Sequence, residues 1–240
     1  MEKTKAKKSL KVLFIVFALL LLFNAKEILA QPAGLEITGN VTDSINTTIA
    51  GNRSDPGGTI TTILVDVLQQ NPRWKAYIGN ISGTLTLDDS LGNSIFRWEL
   101  EASDVTGNIF ISRSNSIDWG DVDCSTPQNI ADEDSALGFS SMAADSINRT
   151  FNETHPSIML GTTALTNCPA TSTYVNNAPQ ATPDYPLVLL SENANMIFAT
   201  PVNKDALNSY STTQIVDFQA IVPDQTIGTT TYYFYAEIGA

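Results

Sequence analysis

Strict alternation of apolar and polar side chains along residues 77–88 constrains the fold of this chain more than any other feature. One parity holds apolar residues and glycine, and the other is polar with Ile78 as its single exception. A period of two places successive side chains on opposite faces of a strand. The run therefore predicts a half-buried β-strand with one packed face and one face in water.

The residues after this strand continue the same pattern. Residues 89–93 contain a Gly-Asn turn signal, and residues 94–101 alternate again. The inward face of this second run is predicted to carry Phe96, Trp98 and Leu100. A second polar turn leads to an apolar run at 109–113, so we expect the three runs to form an antiparallel meander.

Six more runs have strand character: 59–69, 157–165, 187–190, 196–199, 213–222 and 229–238. The runs at 187–190 and 196–199 flank a short polar turn, as in a hairpin. Nine short strands with one helical interruption favour packed antiparallel sheets over a parallel α/β sheet. The predicted fold is mainly β: an antiparallel β-sandwich of about eight or nine strands with one inserted amphipathic helix.

The helical interruption lies in the middle of the chain. An apolar residue recurs there every four positions, at Phe139, Ala143, Ile147 and Phe151. Acidic residues just upstream complement a helix dipole, so we expect one helix over 134–152, ended by His155 and Pro156. His155 is the single histidine, and no G-x-S-x-G motif accompanies it. It is predicted to cap or pack rather than to catalyse, and no enzyme activity is predicted.

The N-terminus predicts export. Five lysines precede an unbroken apolar run of 12 residues from Val12 to Phe23, and a small residue follows at Ala30. That run is shorter than the roughly 20 residues of a membrane span but fits a secretory signal. Residues 1–30 are therefore predicted to be a signal peptide, which places the protein outside the cell or at its surface. The alternative is a retained membrane anchor formed by residues 12–30.

The remaining chain is predicted to consist of a flexible N-terminal arm, 31–58, and a single sandwich domain, 59–240. The arm is rich in Thr, Asn, Gly and Asp, and its one alternating pair is Leu35 and Ile37. It is interpreted as a glycosylated stalk or, alternatively, as a strand donated to a sheet edge of a neighbouring copy.

Charge argues against nucleic acid as a partner. The first thirty residues hold six of the 13 basic residues and two of the 25 acidic ones, which leaves 7 basic and 23 acidic residues, a net charge of −16. Such a surface repels phosphate backbones and anionic lipids. The predicted partners are other copies of the chain or other surface proteins, with membrane contact only through an uncleaved N-terminus.

Six Asn-X-Ser/Thr sequons agree with export, because N-linked glycans are added to exported chains and must project into solvent. The candidate glycosylation sites are Asn40, Asn46, Asn52, Asn80, Asn148 and Asn152. The two cysteines, Cys124 and Cys168, are predicted to form a disulfide. A zinc site would need four ligands, and a redox site would favour Cys-X-X-Cys spacing.

Two groups of carboxylates leave other functions open. Glycoside hydrolysis uses a pair of acids, for which the candidates are Asp88, Asp89, Glu99 and Glu101. Asp88 and Asp89 are better explained by the turn that they enter. A weak candidate calcium site is formed by Asp118, Asp121 and Asp123, since Ca²⁺ takes six to eight oxygen ligands. No other cofactor is predicted.

Two passages resemble a group of uncharacterised exported proteins found mainly in archaea. They are WKAYIGNISGTLTLDD at 74–89 and TTYYFY at 230–235. The order of features between them is also similar: a Trp-containing hairpin, a first Cys, a helix, His-Pro and a second Cys. The resemblance implies secretion and a single domain, and it supplies no functional residue.

The function predicted from these patterns is that of a secreted or cell-surface glycoprotein with a structural, adhesive or filament-subunit role. The alternatives are an exported glycan-acting hydrolase that uses carboxylates and a calcium-dependent binding module.

Overall fold

The protein is mainly β, and its sheets are antiparallel. The structure, a computed structural model, describes residues 32–43, 54–64, 70–99, 105–180, 182, 184–203, 210, 215–225 and 227–239. The chain divides after Ala30, and all of these residues belong to the second unit, Gln31–Ala240. The predicted signal peptide therefore lies outside the described residues.

Twelve strands and two α-helices are present in the described part of the chain. The strands are β1 Ala33–Gly34, β2 Trp74–Gly79, β3 Thr84–Asp88, β4 Ser94–Glu99, β5 Thr106–Ser112, β6 Val122–Cys124, β7 Glu153–Leu160, β8 Thr163–Ser172, β9 Pro186–Glu192, β10 Asn195–Pro201, β11 Phe218–Pro223 and β12 Tyr233–Gly239. The helices are α1 Pro127–Ala136 and α2 Ile147–Thr150, and a 3₁₀ turn spans Trp119–Asp121. None of these helices has the length and apolar character needed to span a bilayer.

Eight strands form one large sheet in the order β1-β12-β5-β10-β9-β8-β7, with β6 pairing on β9. Its central strands are apolar on both parities, as in Leu187–Leu190 of β9, and every residue of β9 is buried. Both faces of the sheet are therefore covered. The predicted hairpin at 187–190 and 196–199 is confirmed as β9 and β10, which pair from Asn195 opposite Glu192 to Ala199 opposite Val188.

One face of the large sheet packs against the helices and a separate two-stranded sheet of β2 and β11. Its core contains Ile111, Leu189, Phe198, Ile130, Ile147, Phe151, Ala220 and Val222. Trp74 of β2 anchors this layer, because its ring packs near Phe139 and Phe151 and its Nε1 donates to the Asp145 carbonyl at 2.7 Å. The layer thus joins β2 to the segment between the two helices.

The other face is covered by the hairpin of β7 and β8. Its core contains Phe110, Val122, Ile158, Leu160, Leu165, Ala170, Val188, Leu190 and Ile197. Asn108 of β5 donates its Nδ2 to the Met159 carbonyl of β7 at 2.8 Å, although three strands separate β5 from β7 in the sheet order. Gly161, at the tip of the hairpin, donates its N–H to Glu237 of β12 at 2.8 Å. The sheet therefore folds back over itself, which gives a sandwich-like packing.

The predicted helix over 134–152 is wrong in its bounds. The helical residues are α1, which begins earlier, and the four residues of α2, with turns between them. Thr126 begins α1 with a capping box, and Pro127 takes the first helical position, where its missing N–H costs nothing. Gly138, at φ 74°, ends the turn after α1. Phe139, Ile147 and Phe151 still reach one core because the turns point them toward it, whereas Ala143 is only partly buried and is not part of that core.

Four strand predictions also need correction. The run at 157–165 is not one strand, because it contains the end of β7, a turn at residues 161–162 and the start of β8. Residues 77–88 form two strands, β2 and β3, which belong to different sheets. The predicted three-stranded meander is reduced to the hairpin of β3 and β4. The third run, β5, pairs instead with β12 and β10 in the large sheet. Residues 59–64 form no strand and are exposed, while 65–69 lie outside the described residues. Alternation alone did not reveal that the chain changes sheet at residues 80–83.

Candidate assembly surfaces

The hairpin of β3 and β4 presents apolar side chains to solvent. In the described residues the two strands pair only with each other, and neither packs extensively on another element. Leu85 lies opposite Trp98 and Leu87 opposite Phe96, so these four side chains share one face. Phe96 is 55% exposed and Trp98 47% exposed, and their ring centroids are 4.9 Å apart. The prediction that this face points into the core is wrong.

The turn of this hairpin is held by Asp89. Its Oδ1 accepts hydrogen bonds from the N–H groups of Leu91 and Asn93 at 2.8 and 2.9 Å. These bonds lower the pKa of Asp89, with the largest effect coming from the Asn93 side chain. The interpretation of Asp89 as a turn residue is confirmed. Leu91, at the tip, is 86% exposed.

The second surface is the outer edge of β12. Its inner edge pairs with β5 along all seven residues, whereas among the described residues its outer edge pairs only with the two residues of β1. Ala33 lies opposite Ala236 and Gly34 opposite Tyr235, and the Leu35 N–H donates to the Phe234 carbonyl at 3.3 Å. The N-terminal arm thus adds a short strand to the sheet of its own chain.

The opposite edge of the large sheet, β7, is protected. Pro156 lies within it, and the pairing with β8 passes from His155–Cys168 to Ser157–Thr166 without including Pro156. Across from this gap, Asn167 has a φ of 59°. A proline and an irregularity on an edge strand block the approach of another strand, because the proline has no N–H to donate. At the other end of the sheet, β12 contains no proline, and in the part of the chain that the structure describes only the two residues of β1 pair with its outer edge.

The predicted glycosylation sites that the structure describes are all exposed: Asn40, Asn80, Asn148 and Asn152. Asn148 lies in α2 and Asn152 just after it, so the two do not share one long helix. Asn46 and Asn52 lie outside the described residues. Exposure leaves room for glycans, and their attachment stays a prediction.

The predicted calcium ligands do not converge in the structure. Asp118 accepts a hydrogen bond from the Gly120 N–H at 3.0 Å and so caps the 3₁₀ turn, while Asp123 accepts from the Cys124 N–H at 2.7 Å. Asp121 lies within the 3₁₀ turn. Within the described ranges, no three or more His, Cys, Asp or Glu side chains are placed to hold one metal ion. The calcium hypothesis therefore gains no geometric support here.

Three of the four carboxylates proposed for a hydrolase lie on the exposed β3–β4 hairpin. Asp88, Asp89 and Glu99 are exposed, and Glu101 lies outside the described residues. Hydrogen bonds from Ser94 and Thr86 lower the pKa of Asp88, which keeps its carboxyl ionised rather than ready to donate a proton. These positions give no enclosed pair of acids.

His155 lies in β7 and not at a helix end, so its predicted role in stopping the helix is wrong. It is opposite Cys168 and is partly buried, and burial lowers the pKa of its imidazole. The packing role that the sequence favoured over catalysis agrees with this position in the β7–β8 hairpin.

Sequence reasoning missed an ion pair between Arg113, which directly follows β5, and Glu133 of α1, in which only the glutamate is buried. Arg113 donates its Nε to Glu133 Oε1 at 2.7 Å and its Nη2 to Oε2, and Glu133 is 4% exposed. A cleft of about 160 Å³ lies beside Arg113 and Asn195. Small-molecule sites are usually about 300 to 1,000 Å³, so this cleft is small for a ligand. The ion pair is best explained as a structural contact that holds α1 against the large sheet.

Comparisons with known protein families, with curated proteins and with solved structures found no match to this chain.

Proposed function

We propose that this chain is an exported structural subunit, a secreted or cell-surface glycoprotein that associates with further copies of itself. The apolar face of the β3–β4 hairpin carries the proposal. A two-stranded hairpin is marginally stable alone in water, and this one leaves two aromatic side chains about half exposed. Burying that face against a partner would remove apolar surface from water and stabilise the hairpin.

A second copy is the partner proposed for this face. Each copy presents the same exposed apolar face, so two copies can stack these faces against one another across a two-fold axis. Each face would then be covered by the other. An anionic lipid surface is a poorer partner, because Asp88 and Asp89 lie at the hairpin tip and the chain after Ala30 is strongly acidic.

The disulfide and the sequons support the exported location. Disulfides persist mainly in oxidising compartments outside the cytosol, and Cys124 and Cys168 are bonded. The four described sequon asparagines are exposed, as attachment of a glycan requires.

The test compares the mass of the protein in solution with that of two variants. We expect the wild type to form dimers or larger species by light scattering as its concentration rises. The double variant Phe96→Ser/Trp98→Ser should lose that association. The matched control, Ile95→Ser/Arg97→Ser, changes the opposite face of the same strand, where Ile95 is 79% exposed, and should still associate.

Far-UV circular dichroism checks that both variants keep their β structure. A wild type that stays monomeric at every concentration, or a Phe96/Trp98 variant that associates as well as the control, would refute the proposal. Negative-stain microscopy of the native material then distinguishes a filament or sheet from a closed dimer.

A further inference from the structure

The pairing of β1 with β12 carries an inference about how copies are joined. β12 is seven residues long, but the strand beside it has only two. In the described residues no other strand covers the outer edge of β12. Exposed edges of this kind accept strands from other chains unless something blocks them. β12 has no proline, in contrast to the protected edge at β7.

The arm is held weakly to its own chain. Among residues 32–43 only Pro32 is buried, and the residues after Gly34 form no strand. Leu35 is 36% exposed and Ile37 59% exposed. The contact with β12 therefore consists of a few backbone hydrogen bonds with little side-chain burial, so the arm gains little from staying on its own chain.

The register gives the arm a longer match with β12 than it uses. Ala33 lies opposite Ala236 and Leu35 beside Phe234, which places Ile37 level with Tyr232 if the pairing continues. Ala236, Phe234 and Tyr232 all belong to or pack against the core on one face of the sheet. A fully paired arm would add the alternating side chains Leu35 and Ile37 to that same face.

We propose that the arm of a second copy replaces the chain's own arm on β12, in the same register, so that copies are joined by strand exchange. This inference rests on the self-association proposed above and adds a second contact between the associated copies, at a different strand edge. The occupant is a second copy because the segment that fits this edge is already seated on it. Thirty-eight residues separate Leu35 from Trp74, which is enough chain to span about 125 Å when fully extended.

Two variants of the full chain test the exchange. Each has one added cysteine and keeps the native Cys124–Cys168 disulfide. Ala33→Cys and Ala236→Cys are mixed in equal amounts, dissociated by dilution, concentrated and oxidised with glutathione disulfide. Directly opposed residues in an antiparallel pair are close enough for a disulfide. Since each chain carries only one of the two new cysteines, a covalent dimer containing one of each variant requires pairing between copies.

The control mixes Ala33→Cys with Ala144→Cys, which is exposed but lies in the turn before α2, away from β12. We expect the Ala33/Ala236 mixture to give at least tenfold more mixed dimer than the control, as identified by the linked peptide in mass spectrometry. The double variant Ala33→Cys/Ala236→Cys reports the cis pairing as an internal link within a monomer.

The outcomes separate the two proposals. Association seen by light scattering with no excess of mixed dimer overturns strand exchange and leaves the self-association intact. Strand exchange is also overturned if only the double variant links, within one chain. Absence of any associated species overturns both. An excess of mixed dimer at the Ala33–Ala236 pair supports the exchange.

Discussion

Cys124 and Cys168 join two strands that share one edge of β9. β6 pairs with β9 from Val122 to Cys124, and β8 pairs with the other end of β9 from Ala170 to Ser172. The disulfide, with a Cα–Cα distance of 4.9 Å, lies where one strand ends and the other begins. It therefore fixes the point at which β8 leaves β9 to cover the sheet, and the predicted pairing of the two cysteines is confirmed.

Replacing both cysteines by serine should destabilise the protein. The two positions are 44 residues apart, and in the chain-entropy model a closed loop of that size stabilises by roughly 4 kcal/mol, less any strain in the native state. Urea unfolding of Cys124→Ser/Cys168→Ser against the oxidised wild type measures the loss. The reduced wild type is the control and should unfold at a similarly low urea concentration. Equal midpoints for all three samples would mean that the bridge adds nothing.

Gly107→Ala should be strongly destabilising. Gly107 has a φ of 128°, and a Cβ there would lie 1.9 Å from the Glu237 carbonyl oxygen of the neighbouring strand. Because that atom is backbone, relief requires β5 and β12 to separate, at a cost of about 2 to 4 kcal/mol. Gly39→Ala is the control, since a Cβ there meets nothing within 4 Å. Thermal unfolding that leaves Gly107→Ala as stable as the control contradicts the close approach.

Glu237→Gln should stabilise the protein at neutral pH. Glu237 Oε1 accepts from the Gly161 N–H, whereas its Oε2 is buried and has no hydrogen-bond partner among the residues that the structure describes. Burial raises the pKa of this carboxyl above its usual 4.5. The Glu237 carboxyl therefore holds its proton more tightly in the folded state than in the unfolded state. The protonated carboxyl favours folding below pH 4.5, and this stabilisation is lost as pH rises through the folded pKa. Glutamine cannot ionise and removes that loss.

Asp224→Asn is a control for which the expected change in stability at neutral pH has the opposite sign. Burial alone would raise the pKa of Asp224, but hydrogen bonds from Thr230 and the Lys75 ammonium at 3.1 Å lower it overall. Its contribution to stability is lost as pH falls through the folded pKa, so this variant should weaken the protein at neutral pH. Free energies of unfolding measured by urea between about pH 2.5 and pH 8 test both variants, because the pKa of Asp224 lies below its usual 3.8 and that of Glu237 above its usual 4.5. Parallel curves for wild type and Glu237→Gln would rule out the expected linkage.

Export itself is a prediction from residues outside the described part of the chain. If residues 1–30 are a cleaved signal, the native protein should begin at or within a few residues of Gln31. Intact-mass measurement after removal of glycans reads the N-terminus directly. A mass that still includes Met1–Ala30 would support the alternative membrane anchor.

The sequence by itself determined the class of the fold and several of its parts. Alternation and β-branched residues predicted an antiparallel β protein, the short turn between residues 190 and 196 predicted the β9–β10 hairpin, and the two cysteines predicted their own bond. The strands and the hairpin depend on local periodicity, and the disulfide follows because the chain has only two cysteines to pair.

Only the tertiary structure decided which strands share a sheet and which faces are covered. The alternation at residues 77–88 is equally good for one strand or for two, so it could not show that β2 joins β11 while β3 leaves with β4. Phe96 and Trp98 have the pattern of a buried face, yet in the structure they are 55% and 47% exposed. Burial and edge exposure depend on partners distant in sequence, and local periodicity carries no information about those partners.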